Sequence, residues 1–192
     1  MFENIKLVVF DLDGTIARLD VDWEQLKKEL HEYFRDYYGF ESDFIPLDKE
    51  LERVGEELSG DALKEAYKIV EKYELEKIEN FTPIEESLEL IKELKNKGKI
   101  LAIFSTNTRK VIEQVLVGMG IREYFDIIVG KEDVRGHKPD PEGLILIKNK
   151  ANVKTNEMCF IGDKKIDIEC GERINVCSIS LENIDMKKEV WI

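Results

Sequence analysis

Apolar residues in this chain gather in two different rhythms. Near the start and after residue 82 they form short unbroken runs separated by amphipathic stretches; between about 18 and 82 they recur only at helical spacing. Ile5–Phe10 predicts a buried strand, because an uninterrupted run of this length suits a strand covered on both faces. Thr82-Pro83-Ile84-Glu85 has the form of a helix start, with Thr as N-cap, Pro at the first position and Glu at the third. Ile84, Leu88, Ile91 and Leu94 then line one face, and Gly98 stops the helix. Further strands are expected over Ile100–Phe104, Phe125–Val129, Met158–Ile161 and Val176–Ile179. The helices between them are expected over Arg109–Met119, Glu142–Lys150 and Ile166–Ile174. The alternation implies an α/β class: a Rossmann-like, mainly parallel sheet with helices on both faces.

In the other segment, Trp23, Leu26, Leu30, Phe34 and Tyr37 mark one helix, ended by Gly39. Leu47, Leu51, Val54 and Leu58 mark a second, and Leu63, Ala66, Tyr67, Val70, Tyr73 and Ile78 a third. The expected division is an α/β core of residues 1–17 and 83–192 with an all-helical cap, residues 18–82, inserted after the first strand. Trp23, Tyr33, Phe34, Tyr37, Tyr38, Phe40 and Phe44 are expected to be mostly the cap's own core.

Charge supports the division. Residues 18–82 hold 10 Lys or Arg against 19 Asp or Glu, most of the net charge of −12. So acidic a chain is not expected to bind nucleic acid or an anionic membrane. No apolar run reaches membrane-spanning length, and the N-terminus lacks a signal-peptide layout. Cys159, Cys170 and Cys177 are scattered, without a Cys-x-x-Cys pair. Together these features lead to the expectation of a cytoplasmic protein with free thiols. Oligomeric state is not legible.

The chemistry lies at strand ends. Asp11-Leu12-Asp13-Gly14-Thr15 follows the first strand directly, and two carboxylates so close repel unless a cation holds them ionised. The second strand ends at Ser105-Thr106-Asn107, and beyond the third comes Lys138. The fourth ends at Gly162-Asp163, with Asp167 four residues later. In a parallel sheet these ends converge on one edge. A nucleophile, a hydroxyl donor, a cation and an acidic pair are what a phosphoryl group requires, and the acidic cluster suits Mg2+.

Asp11–Thr15, Ser105, Lys138 and Gly162–Asp167 together resemble the four ordered motifs of the haloacid dehalogenase superfamily. The resemblance covers about residues 1–17 and 83–180, and residues 18–82 resemble the small cap of many members. It implies that Asp11 attacks phosphorus to form an aspartyl-phosphate. Asp13 would protonate the leaving group and then activate water. Ser105 and Lys138 would bind phosphoryl oxygens, with Thr106 and Asn107 as neighbouring candidates. Mg2+ would be bound by Asp11, the Asp13 carbonyl and Asp163, with Asp167 a ligand through water or a partner orienting Lys138. Asp13 points away from dehalogenase chemistry. Val129–Asp133 and Lys138–Pro141 resemble the phosphoglycolate phosphatase branch, so a small phosphorylated metabolite is the expected substrate. The cap, hinged near Ala17–Leu19 and Phe81–Thr82, would gate the site and exclude phosphoproteins.

Alternatives are a phosphomutase or pyrophosphatase on the same scaffold and, more distantly, a receiver-like module or a non-catalytic binding protein. Lys164 departs from the superfamily pattern, which has a small hydroxyl residue there; it is expected to point to solvent. His31 is expected on a helix surface and His137 in a loop. Arg18, Lys49, Arg53 and Lys72 are candidates for substrate selection from the cap, and Asn107 and Arg109 from the second strand's exit.

Overall fold

The computed structural model describes residues 4–76 and 81–183. Ile78 of the expected third cap helix lies outside them, as do residues 1–3 and 184–192 at the ends of the expected core. The chain divides into two units, Met1–Leu19 with Phe81–Ile192, and Asp20–Asn80.

In the first unit, β1 (Leu7–Phe10) is buried along its whole length. The chain then makes a two-residue strand β2 (Ala17–Arg18) before leaving for the second unit. It returns through β3 (Thr82–Pro83), which pairs antiparallel with β2, Ala17 opposite Pro83 and Arg18 opposite Thr82. This corrects the reading of Thr82-Pro83 as a helix start. The returning chain pairs with the outgoing one, and the helix begins later with Ile84 at its N-cap, whose N–H donates to the Ile16 carbonyl. Glu85 and Glu86 then occupy the first turn, where the helix dipole favours negative charge.

Helix α4 (Glu85–Asn96), strand β4 (Ile100–Phe104), helix α5 (Arg109–Gly118) and strand β5 (Ile127–Val129) follow. Helix α6 (Glu142–Ala151), strand β6 (Met158–Gly162), helix α7 (Lys165–Glu172) and strand β7 (Cys177–Ser180) complete the unit. The five longer strands form one parallel sheet in the order β5-β4-β1-β6-β7. After β5 the chain crosses to the far side of β1, so β1 lies at the switch point where open α/β sheets form their crevice. Successive side chains in β1 face opposite ways. Leu7 and Val9 join Phe104, Phe160, Leu144, Ile147 and Cys170 in one core cluster beneath α6 and α7. Val8 and Phe10 serve the other face, where α4 and α5 supply the buried Leu90, Ile91, Val111 and Val115. Burying each such side chain contributes about 1.5–3 kcal/mol.

The second unit packs α1 (Trp23–Tyr38), α2 (Leu47–Glu57) and α3 (Gly60–Glu76) around Leu26, Leu30, Phe34, Phe44, Val54 and Ala66. Asp22 caps α1 by accepting the Gln25 N–H, and Gly39 ends it in the left-handed region at φ 62°. Of the seven aromatics expected in this core, Phe34, Phe40 and Phe44 are buried. Trp23, Tyr37 and Tyr38 are exposed: they are the first and the last two residues of α1, beyond the stretch from Leu26 to Phe34 that the unit buries, and Tyr33 is half-buried. His31 is bonded rather than merely superficial: its Nδ1 lies 2.7 Å from the Ser42 carbonyl oxygen.

Candidate active site

Register places the motif residues. Phe10 is level with Ile103 of β4 and Ile161 of β6. Asp11 therefore stands level with Phe104 and Gly162, and Ser105 and Asp163 stand one residue, about 3.3 Å, further along. The Asp11 N–H continues the ladder by donating to the Ile161 carbonyl at 2.9 Å. The chain then turns at once: Thr15, Ile16 and Ala17 all donate to the Leu12 carbonyl. Gly14 makes that turn at φ 88°, and a Cβ there would stand 2.3 Å from Asp163 Oδ2. Only glycine lets the two loops approach so closely.

Lys138 is the centre of the charge arrangement. Its Nζ lies 2.6 Å from Asp11 Oδ1 and 2.6 Å from Asp167 Oδ1, with all three side chains at most 5% exposed. Beneath it are the rings of Phe104 and Phe160, each centroid 5.5 Å from the ammonium. These two aromatics were not anticipated from the sequence. Phe104 stands one position before Ser105 and Phe160 three before Asp163, which is a weak signal of support for a buried cation. Burial pushes the Asp11 carboxyl up to about 6, against the pull of Lys138 and with the help of Asp167. Lys138 itself is held above its usual range, because its two carboxylates outweigh its burial.

Asp163 is positioned by the Thr15 hydroxyl, which donates to its Oδ1 at 3.3 Å. Burial raises its carboxyl, with Lys164 opposing. Carboxylate oxygens of Asp11, Asp163 and Asp167 lie within 4.8 Å of one another, a set able to hold a metal ion. Asp167 is buried and engaged on both oxygens, one with Lys138 and the other accepting the Lys164 N–H at 3.0 Å. Asp13 is half-buried, and its Oδ1 accepts the Leu19 N–H at 3.0 Å. Lys164 stands beside it, Nζ to Asp13 Oδ2 3.7 Å, so its side chain faces the site as well as solvent.

At the end of β4, Ser105 is buried and Thr106 half-buried. The Ser105 hydroxyl donates to Asn107 Oδ1 at 2.9 Å and accepts the Asn107 N–H at 3.2 Å, which fixes the turn. Thr108 caps α5 by accepting the Val111 N–H. Arg109 ties the two loops together: its guanidinium binds the Ile128 carbonyl at 2.9 Å and Asp133 at 2.7 Å. The Val129–Asp133 stretch thereby gains a physical reason. Gly130 N–H bonds Asp133, Lys131 N–H bonds the Asn107 carbonyl and Glu132 accepts the Arg109 N–H, joining the exits of β4 and β5. In the second unit, Arg53 is paired with Glu50 and Glu57, and Lys72 with Glu29. Those two cap cations are committed within their own unit, while Arg18 and Lys49 are exposed.

The family model for haloacid dehalogenase-like hydrolases matches residues 8–181. The chain belongs to that family. A phosphoglycolate phosphatase of Vibrio parahaemolyticus is 26% identical, over 93% of this chain and 84% of that protein. The pyrophosphatase PpaX of Halalkalibacterium halodurans is 29% identical, over 90% and 81%. A solved Bacteroides fragilis structure, described as a haloacid dehalogenase-like hydrolase, superposes with a TM-score of 0.70 at 26% identity, covering 97% of this chain and 91% of that one. Among the described residues of this family member, no helix is long and apolar enough to cross a membrane.

Proposed function

We propose that this hydrolase is a Mg2+-dependent phosphatase acting on a small phosphate monoester such as phosphoglycolate, through an aspartyl-phosphate on Asp11. The observation that carries the reading is Lys138 buried between Asp11 and Asp167, with Asp163 alongside. A buried lysine against a carboxylate nucleophile opposes the rise that burial imposes on it and supplies positive charge for phosphoryl oxygens.

The donor set fits a hard cation, since every candidate ligand is oxygen. Asp167 is already engaged twice, so Asp11, Asp163 and the Asp13 carbonyl would hold the ion, with water completing its shell. When bound, such an ion draws charge from the phosphoryl oxygens and holds both carboxylates ionised. The chain's own groups do the rest. An Asp11 oxygen attacks phosphorus as the ester oxygen leaves, and Asp13 gives that oxygen its proton. The Asp13 carboxylate then takes a proton from the water that attacks the phosphoryl group, releasing phosphate and restoring Asp11. Leu19 N–H on Asp13 Oδ1 leaves Oδ2 for both transfers. Ser105, Thr106 and Asn107 form the turn that would receive the remaining phosphoryl oxygens.

Pyrophosphate hydrolysis is the second reading, favoured by the PpaX likeness. Both are tested by phosphate release from phosphoglycolate, other small esters and pyrophosphate with Mg2+. The expected result is multiple turnovers by the wild type and none by Asp11→Asn or Asp13→Asn. Wild-type rates no higher than both variants on every substrate would overturn the phosphatase reading.

A further inference from the structure

We infer that Lys164 is a specificity-determining residue whose ammonium binds an anionic substituent on the leaving group, a carboxylate or a second phosphate. The inference rests on the phosphatase reading and narrows its substrate class to esters or anhydrides carrying a second negative charge near the bond that breaks.

Three observations lead there. Lys164 grows from a fixed point: at the N-cap of α7, its N–H donates to Asp167 Oδ2 and its carbonyl accepts the Asp167 N–H, both at 3.0 Å. Its ammonium reaches the working oxygen of the proton shuttle. Asp13 Oδ1 is occupied by the Leu19 N–H, and it is Oδ2 that lies 3.7 Å from Lys164 Nζ. A leaving oxygen that takes its proton from Oδ2 therefore emerges beside this ammonium, with its substituents within a few bonds of it.

The third observation concerns availability. Lys138 is 3% exposed and commits two of its three donors to carboxylates, so it is built into the floor of the site. Lys164 is 53% exposed, and 3.7 Å exceeds hydrogen-bonding distance, so the ion pair with Asp13 leaves its N–H donors unspent. An ammonium on an anchored backbone, within reach of the departing group and with donors to spare, suits recognition of an oxyanion. Its mere presence next to Asp13 would act on all substrates alike; contact with a leaving-group anion would act only on substrates that have one.

The experiment compares kcat/KM for phosphoglycolate and pyrophosphate with that for 2-hydroxyethyl phosphate and glycolamide phosphate, whose leaving groups are neutral. Wild type, Lys164→Gln and Lys164→Arg are measured, with Asp11→Asn as the blank. The anionic-to-neutral ratio is expected to fall about ten-fold in Lys164→Gln, chiefly through KM, and to return to within about three-fold in Lys164→Arg. A loss larger for phosphoglycolate identifies a carboxylate as the partner; one larger for pyrophosphate identifies a phosphate. A ratio that stays constant, whether the rates fall together or not at all, overturns the inference while wild-type turnover above the blank leaves the phosphatase reading standing. No turnover of any substrate by the wild type removes both.

Discussion

Asp11 is held in a position that costs stability. Its burial disfavours the charged form, and one lysine is shared between it and Asp167. A carboxyl raised from 3.8 to about 6 binds its proton more tightly in the folded state. The resulting cost is absent below about pH 4, grows as pH rises and levels off above about 6. Asp11→Asn is therefore expected to raise the melting temperature of the metal-free protein by an amount that increases from pH 4 to pH 6 and is then constant. The gain is of order 1–3 kcal/mol. Thermal denaturation of both proteins in chelator across that range measures it, and a pH-independent difference would contradict it. At this scale much of the site was legible. Asp11 and Asp163 announce themselves by charge placed at the ends of apolar runs, and Lys138 and Asp167 by their place in the segments that follow the third and fourth runs. Phe104 and Phe160 do not, because an aromatic beneath a lysine has the same pattern as any core aromatic. The role of Arg109 was also hidden, since its partners lie 19 and 24 residues away.

Among the elements, the apolar runs marked every strand of the parallel sheet, with ends displaced by up to two residues. Ile5 and Phe125 are buried yet lie outside the strands, so burial alone extended the expected runs. The error at Thr82-Pro83 has a different origin. Local capping chemistry was outweighed by pairing with Ala17–Arg18, a partner more than sixty residues away and invisible to a local pattern. One helix is matched to the site by a missing side chain. Gly143 in α6 faces the Phe104 ring so closely that a Cβ there would stand 2.2 Å from it. Gly143→Ala is expected to cost about 1–3 kcal/mol through overpacking, read as a lower urea midpoint. Because that ring lies under Lys138, kcat is expected to fall as well. Unchanged stability and rate would show that α6 can shift without consequence.

For the whole molecule, the β2–β3 ribbon sets both crossings between the units side by side, with backbones about 5 Å apart. Replacing residues 20–80 by a short Gly-Ser linker is expected to leave an α/β unit that unfolds in one cooperative transition, seen by far-ultraviolet circular dichroism. A molten product would mean that the helical unit is needed to complete the core. The same variant tests selection by the cap: unchanged preference across small esters and phosphoproteins would rule it out.

The carboxylates outnumber their cations, four (Asp11, Asp13, Asp163, Asp167) against two (Lys138, Lys164). On the phosphatase reading, this makes phosphate and Mg2+ thermodynamic allies. A dianion entering alone meets net repulsion; one entering with a divalent ion does not. Calorimetry is expected to find no phosphate binding in chelator and clear binding with Mg2+. By reciprocity, phosphate must tighten Mg2+ by the same factor by which Mg2+ tightens phosphate. The acidic excess would then order the encounter, coupling cargo and ion so that the product leaves most readily when the metal does too.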